Sequence, residues 1–203
     1  MRALPLVVAL GLVAGFSNVA VAGDSPWTVK VGVSQIKPKS DGGLLAGVEV
    51  SKEVNLTPAI EYKFTPNIVG EVLLALPFTH DVTLNGAKVG EFKHLPPTFT
   101  AKYLFTPDAA FSPYVGLGLN YTKTWGEDTT GALAGKSLSV GDSFGLAATA
   151  GAEYRLPNSP WGVALDIRYI KIKADVDLNG APLGSGSIKV DPLVVGLSAA
   201  YHY

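Results

Sequence analysis

Residues 91–105 read EFKHLPPTFTAKYLF. The second half is a strand: Phe99, Ala101, Tyr103 and Phe105 alternate with Thr98, Thr100 and Lys102 at a period of two. The first half is unsuited to one, because Pro96 and Pro97 have no N–H to give a neighbouring chain. Pairing must therefore fail locally on one side. The preceding strand candidate, residues 67–78, carries Pro77, and between the two lies Leu84-Asn85-Gly86-Ala87, a type I′ hairpin signal. With Asn85-Gly86 as the turn, Leu84 faces Ala87, and counting back sets Pro77 near His94 and Ala75 near Pro96. Prolines on both arms then fall together. The expectation is a gap in the wall of a sheet, framed by Pro77, His94, Pro96 and Pro97.

The same alternation runs through the rest of the chain. Trp27, Val29, Val31 and Val33 share one face; Leu56, Ile60, Tyr62 and Phe64 share another, and Ile68, Val72, Leu74, Leu76 and Phe78 are expected to point the same way. Further alternating runs cover residues 111–125, 144–156, 161–169 and about 188–203. Tight turns rich in Pro and Asn, at 65–67, 106–110 and 157–160, alternate with longer connections at 36–53, 79–93, 123–142 and 172–187. DVTLNGAKVG (81–90) and DVDLNGAPLG (175–184) are nearly the same, and read as two extended hairpin tips on the outer side, or as convergent turn chemistry.

The chain opens MRALPLVVALGLVAGFSNVAVAG: a positive start at Arg2, an apolar core at 4–16, and an A-x-A site at 20–22. Residues 1–22 are expected to be a cleaved secretory signal peptide, leaving one domain at 23–203. Hydrophobic residues make up 47% of the chain, yet after residue 22 no apolar run approaches the roughly 18 residues of a helical span. Hydrophobicity spread through short alternating segments is what a transmembrane barrel shows, because its outward face meets lipid. A soluble β-sandwich of this size would instead need a polar face on each sheet. The expected fold is all-β: an eight-stranded antiparallel transmembrane β-barrel with short periplasmic turns and longer extracellular loops, in the bacterial outer membrane. Tyr62, Phe64, Tyr103, Phe105, Tyr154 and Trp161 lie beside the short turns, where an aromatic girdle belongs. The partners expected are outer-membrane lipid and lipopolysaccharide, small hydrophobic ligands, and no second copy of the chain.

Inward-facing positions divide by height. Near the short turns they are charged: Lys30, Glu61, Lys63, Glu71, Lys102, Glu153 and Arg155, with Asp166 and Arg168 a little higher. Charges of both signs in a narrow lumen should pair, since an unpaired buried charge is costly. Eight strands leave an interior just wide enough for side chains, so the periplasmic half is expected to be plugged by ion pairs. Above them the inward residues turn small and apolar: Ile36, Leu73, Ala75, Ala147, Ile170, Ile172 and Val194, with Asn120 and Ser143. An apolar cup over a charged floor can receive a hydrophobic molecule without passing it straight down. The gap at Pro77, Pro96 and Pro97 would then be a sideways exit into lipid; alternatively, the prolines only relieve strain near the rim.

Other classes find little support. The chain has no cysteine, hence no disulfide framework or thiolate site. Three histidines without cysteine make a metal site unexpected. His80, His94, Ser40, Ser137, Ser139 and Ser185 lie towards the outer side, but no spacing picks out a nucleophile with its base, and no catalysis or cofactor is expected. A near-neutral balance of 16 basic and 17 acidic residues, with no phosphate-binding loop, sets nucleic-acid and nucleotide partners aside. The rival to transport is a structural barrel, or a surface receptor for phage, bacteriocin or host, which long loops would suit.

HLPPT (94–98), YVGLGLNYT (114–122), DIRYIKI (166–172) and VDPLVVGLSAAYHY (190–203) resemble the OmpW/AlkL family of outer-membrane proteins, in the same order from about Trp27 to Tyr203. The resemblance implies an eight-stranded barrel with a hydrophobic channel, a blocked periplasmic end and a lateral opening that passes small hydrophobic molecules. It carries the HLPP prolines onto Pro96 and Pro97.

Overall fold

Alternation lets eight of the strands close on one another, each with one face outward and one towards a shared interior. A computed structural model describes residues 25–38 and 48–203. The expected signal peptide and residues 39–47 of the first long connection lie outside them. The strands are β1 (Trp27–Lys37), β2 (Val48–Val50), β3 (Glu53–Lys63), β4 (Ile68–Leu73), β5 (Phe78–Leu84), β6 (Ala87–Leu95), β7 (Thr98–Leu104), β8 (Phe111–Thr129), β9 (Leu138–Val140), β10 (Ser143–Arg155), β11 (Trp161–Ile170), β12 (Lys173–Leu178), β13 (Ala181–Lys189) and β14 (Leu193–His202), with a short 3-10 helix at Gly131–Leu133. Eight of them close an antiparallel barrel in the order β1, β3, β4, β7, β8, β10, β11, β14. β14 returns to β1 from Thr28↔His202 to Lys37↔Leu193.

The other six strands stand above the barrel on the long-connection side. Expected loops at 79–93, 123–142 and 172–187 are largely strand: β5 and β6 form a hairpin, β8 runs on to Thr129, and β9 pairs with β12. The expected final strand at 188–203 is two strands, interrupted at Asp191, whose φ is +30°. Both Asn-Gly tips turn as type I′ hairpins require: φ is +52° and +81° at Asn85 and Gly86, and +54° and +77° at Asn179 and Gly180.

Burial is inverted relative to a water-soluble protein. Outward Leu117 is 73% exposed and Phe144 70%, whereas inward Arg168 is 1% exposed. Apolar residues outside and polar ones inside are the pattern of a barrel in lipid. Aromatic side chains gather at the short-turn end in edge-to-face pairs, among them Trp27–Tyr62 at 4.8 Å and Trp161–Tyr201 at 4.9 Å. Two aspartates fasten strands at the opposite boundary in the same manner. Asp142 accepts from Tyr121 Oη (2.7 Å) and the Thr124 N–H (3.1 Å); Asp191 accepts from Tyr169 Oη (3.3 Å) and the Ile172 N–H (3.0 Å).

Candidate functional site

The lumen is layered, and the lowest layer is ionic. Alternation on β1, β3, β4, β7, β10 and β11 brings charges of both signs to one level. Lys30 Nζ lies 3.0 Å from Glu61 and 2.8 Å from Glu153. Lys102 bridges Glu61, at 2.6 Å, and Glu71. Arg168 reaches Glu71 at 2.7 Å and Asp166 at 3.8 Å, while Arg155 approaches Glu153 at 3.5 Å. Four cationic and four anionic side chains thus share one connected network, which is how charges are retained away from water. Two members were not expected. His202 contacts Glu153 at 2.7 Å, and the Tyr114 ring receives Lys102 at 4.5 Å from its centre. Parity on β8 already pointed Tyr114 inward, between Gly116 and the short turn. Lys63 departs from expectation: it is exposed at the rim and makes no ion pair among the described residues, because β3 ends there and its side chain reaches water.

Above the charges sits a packed apolar layer. Ile36, Phe78, Ala147, Ile170, Ile172 and Val194 form one buried cluster, with Ala75 against it. Leu73 lies lower, beside Glu71 and Asp166 around a small void of about 20 Å³. Phe78 corrects the expected outward face: it is 2% exposed and turned inward. The regular strand has ended at Leu73, so the parity that places Val72 outward does not carry through to Phe78.

Higher again, the outer strands enclose a cavity of about 120 Å³. Its walls include Val82, Val89, Phe92, Leu138, Val140 and Val176. The expected lumen residues Ile36 and Ile172 reach it from below, and His94 lines its side. The two similar segments at 81–90 and 175–184 both contribute, through Val82 and Val176. Their alternating apolar residues were the available signal, masked by the polar look of their tips. A separate polar cavity of about 210 Å³ opens at the short-turn end around Lys30, Glu61 and Glu153, and shares no lining residue with the upper one.

The wall is interrupted where the prolines lie. β4 pairs with β7 only as far as Leu73↔Thr98, and the next pairing above is Phe78↔His94 between β5 and β6. Between these rungs, residues 74–77 and 95–97 form no ladder with each other. Each lip is held from behind. The Leu74 N–H donates to the Pro58 carbonyl (2.8 Å) and that of Leu76 to Leu56 (3.1 Å); the Tyr121 N–H donates to the Pro97 carbonyl (3.1 Å). Asn55 Nδ2 donates to the carbonyls of Leu76 (3.2 Å) and Pro77 (3.1 Å), and Asn120 Nδ2 to those of Pro96 and Pro97 (both 3.2 Å). Backbone oxygens that would face hydrocarbon are thereby satisfied. The register differs from the expected one by a residue. Val82 pairs with Gly90 but Thr83 with Lys88, so Val89 is bulged. His94 consequently faces Phe78 rather than Pro77, and both Val89 and His94 turn inward.

Imidazole and phenyl rings stack above the gap. His80 and His94 lie 4.8 Å apart and 7° from parallel, with Phe78 5.4 Å from His94 and Phe92 5.6 Å from His80. Burial pushes the His80 imidazole below its ordinary pKa. Burial, and then the neighbouring His80, push His94 down to about 3.

The geometry matches known outer-membrane barrels. Outer membrane protein W of Vibrio cholerae is 33% identical over 97% of this chain and 98% of its own length; that of Escherichia coli K12 is 34% identical over the same shares. Among solved structures, OprG from Pseudomonas aeruginosa superposes with a TM-score of 0.76 at 28% identity, covering 87% of this chain and 95% of that one. AlkL in lipid bilayers gives 0.70 at 26% identity, covering 90% and 93%. A sequence model of the OmpW family matches residues 14–203. The chain is an outer-membrane β-barrel and belongs to the OmpW family.

Proposed function

We propose that this protein lets small hydrophobic molecules cross the outer membrane passively. They enter the apolar chamber between the outer strands and leave sideways into lipid, through the gap between residues 74–77 and 95–97. One observation carries the reading: an apolar cavity reaches, at His94, the residue next to the one stretch of wall, among the described residues, where prolines leave neighbouring strands unpaired. The layer of ion pairs beneath supports it, because an apolar solute has nothing to gain by entering a floor of eight charges. Phe78 packs against His94, which lines the chamber just before the gap in the chain, so on this reading passage displaces the Phe78 ring. The same reading assigns residues 1–22 as a cleaved export signal.

The test replaces Pro96 by Thr and Pro97 by Val; the N–H gained at position 96 faces the gap and can extend the ladder, while that at 97 turns towards β8. Proteoliposomes would be presented from outside with an apolar fluorescent probe or a small sugar, and uptake read above that of protein-free vesicles. Entry of the apolar probe is expected to fall several-fold in the double variant, with the sugar excluded by both proteins. Unchanged entry of the probe would misplace the exit. If the unmodified barrel admits no probe at all, transport is refuted in favour of a receptor or structural role.

A further inference from the structure

The chamber is not purely greasy. Among its lining residues are His80, His94, Thr122 and Thr124. Two of these have already taken up a hydrogen bond with the protein: His80 Nδ1 donates to the Ser51 carbonyl at 2.8 Å, and Thr122 Oγ1 donates to Asn120 Oδ1 at 2.7 Å. His94 has not. It is 7% exposed, and its buried Nδ1 has no hydrogen-bond partner. Thr124 lies directly across the β6–β8 pair from it. The stack of Phe78, His80 and Phe92 holds the ring in one plane. A fixed, unpartnered imidazole in an apolar wall carries a standing penalty that a suitably placed ligand atom would remove.

We infer that His94 is a hydrogen-bonding anchor, and that the molecules the chamber takes are small, uncharged, and carry one hydroxyl or carbonyl group on an apolar body. This rests on the transport reading above and narrows its substrate class. Size follows from volume: an apolar cavity of roughly 150 Å³ holds benzene, so about 120 Å³ accommodates a body of one ring or a short chain. Charge is excluded by the walls, since a carboxylate or ammonium group would be desolvated there without a counter-ion. A plain hydrocarbon fits the walls but leaves the imidazole nitrogen unpaired. A neutral imidazole both donates and accepts, so an alcohol, a phenol or a ketone satisfies it equally.

Phenol and toluene, nearly equal in size, separate the contributions. The full-length protein in lipid nanodiscs, with ¹⁵N-labelled histidine and ¹³C-labelled valine methyl groups, would be titrated with each. Both molecules are expected to move the methyl signals of Val82 and Val176, but only phenol the imidazole signal of His94. Phenol should bind about five- to tenfold more tightly than toluene, the ratio expected for one added hydrogen bond. In His94→Phe the ratio should turn over in favour of toluene, because the phenol hydroxyl is then buried without a partner, and His94→Gln should keep part of the preference for phenol. A phenol preference that survives His94→Phe, or an imidazole signal that phenol leaves unmoved, overturns the anchor while leaving the chamber standing. If neither molecule moves the valine methyls, the chamber reading fails and the anchor with it. Should His94→Phe not fold, the wild-type imidazole signal and His94→Gln decide the question alone.

Discussion

Asn55 and Asn120 flank the unpaired stretch from opposite sides, and each gives its side-chain amide to two consecutive backbone carbonyls of the lip beside it. The symmetry is chemical rather than sequential: one asparagine lies on β3, the other on β8. A sheet opened in lipid exposes acceptors that water cannot reach. Two primary amides, each with two N–H donors, answer that need without rebuilding a ladder.

Removing one of these amides should therefore cost stability out of proportion to its size. Asn120 is 0% exposed, and Asn120→Ala withdraws donors from Pro96 and Pro97 together. A loss of about 1–3 kcal/mol is expected from the buried carbonyls left short of partners. Asn55→Ala should cost less, because Asn55 is only half-buried. Equilibrium urea unfolding in lipid vesicles reads both; equal losses would contradict the burial argument.

The ionic floor predicts an asymmetry between lysines. Lys102→Met leaves Glu61 and Glu71 deprived of their shared partner, and breaking such a buried pair costs about 3–5 kcal/mol. Glu71→Gln added to it should recover part of the loss. Lys63→Met should stay within about 0.5 kcal/mol, as for other exposed positions. The midpoint of unfolding in guanidinium, or the heat-modified shift on a gel, would show the difference.

Acid should weaken the upper stack first. His94 is held down to about 3 by burial and by His80, whereas an unfolded histidine titrates near pH ~6.5. Between those values the unfolded chain takes up a proton that the folded one refuses, so stability falls as pH drops from about 6.5 to about 3 and is level above that window. By pH 4 the deficit from this group approaches roughly 3 kcal/mol. An imidazole NMR titration should find His94 neutral at pH 5, and His94→Phe should flatten the acid slope. Titration of His94 near pH 6.5 would refute this.

Close strand approach fixes Gly145. A Cβ there would collide with the Lys171 carbonyl oxygen, beside the bond from the Lys171 N–H to the Leu146 carbonyl at 2.8 Å. Neither atom belongs to a flexible side chain, so the strands must part. Gly145→Ala is expected to destabilise the barrel by about 1–3 kcal/mol and to slow refolding into lipid. Gly86→Ala meets no neighbouring atom and suffers only from its φ of +81°, so it should cost about 1 kcal/mol.

Alternation at a period of two made the barrel readable from the chain itself. Each strand declares its lipid and lumen faces residue by residue, and side chains of one parity must share the interior whatever the loops do. The charge layer followed from that parity, as did the apolar level marked by Ile36, Ala147, Ile170 and Val194, and the failed pairing at Pro96 and Pro97 followed from their missing N–H groups. Tertiary structure decided the rest. The Val89 bulge shifted β5 against β6 by one residue, which put Phe78 opposite His94, and the break after Leu73 let Phe78 turn inward to meet it. Val82 and Val89 of one similar segment and Val176 of the other became chamber walls because strands distant in sequence packed around them. Parity is a local property that survives any arrangement of neighbours, whereas a bulge, a stacked ring or a cavity exists only once separate strands have chosen their register.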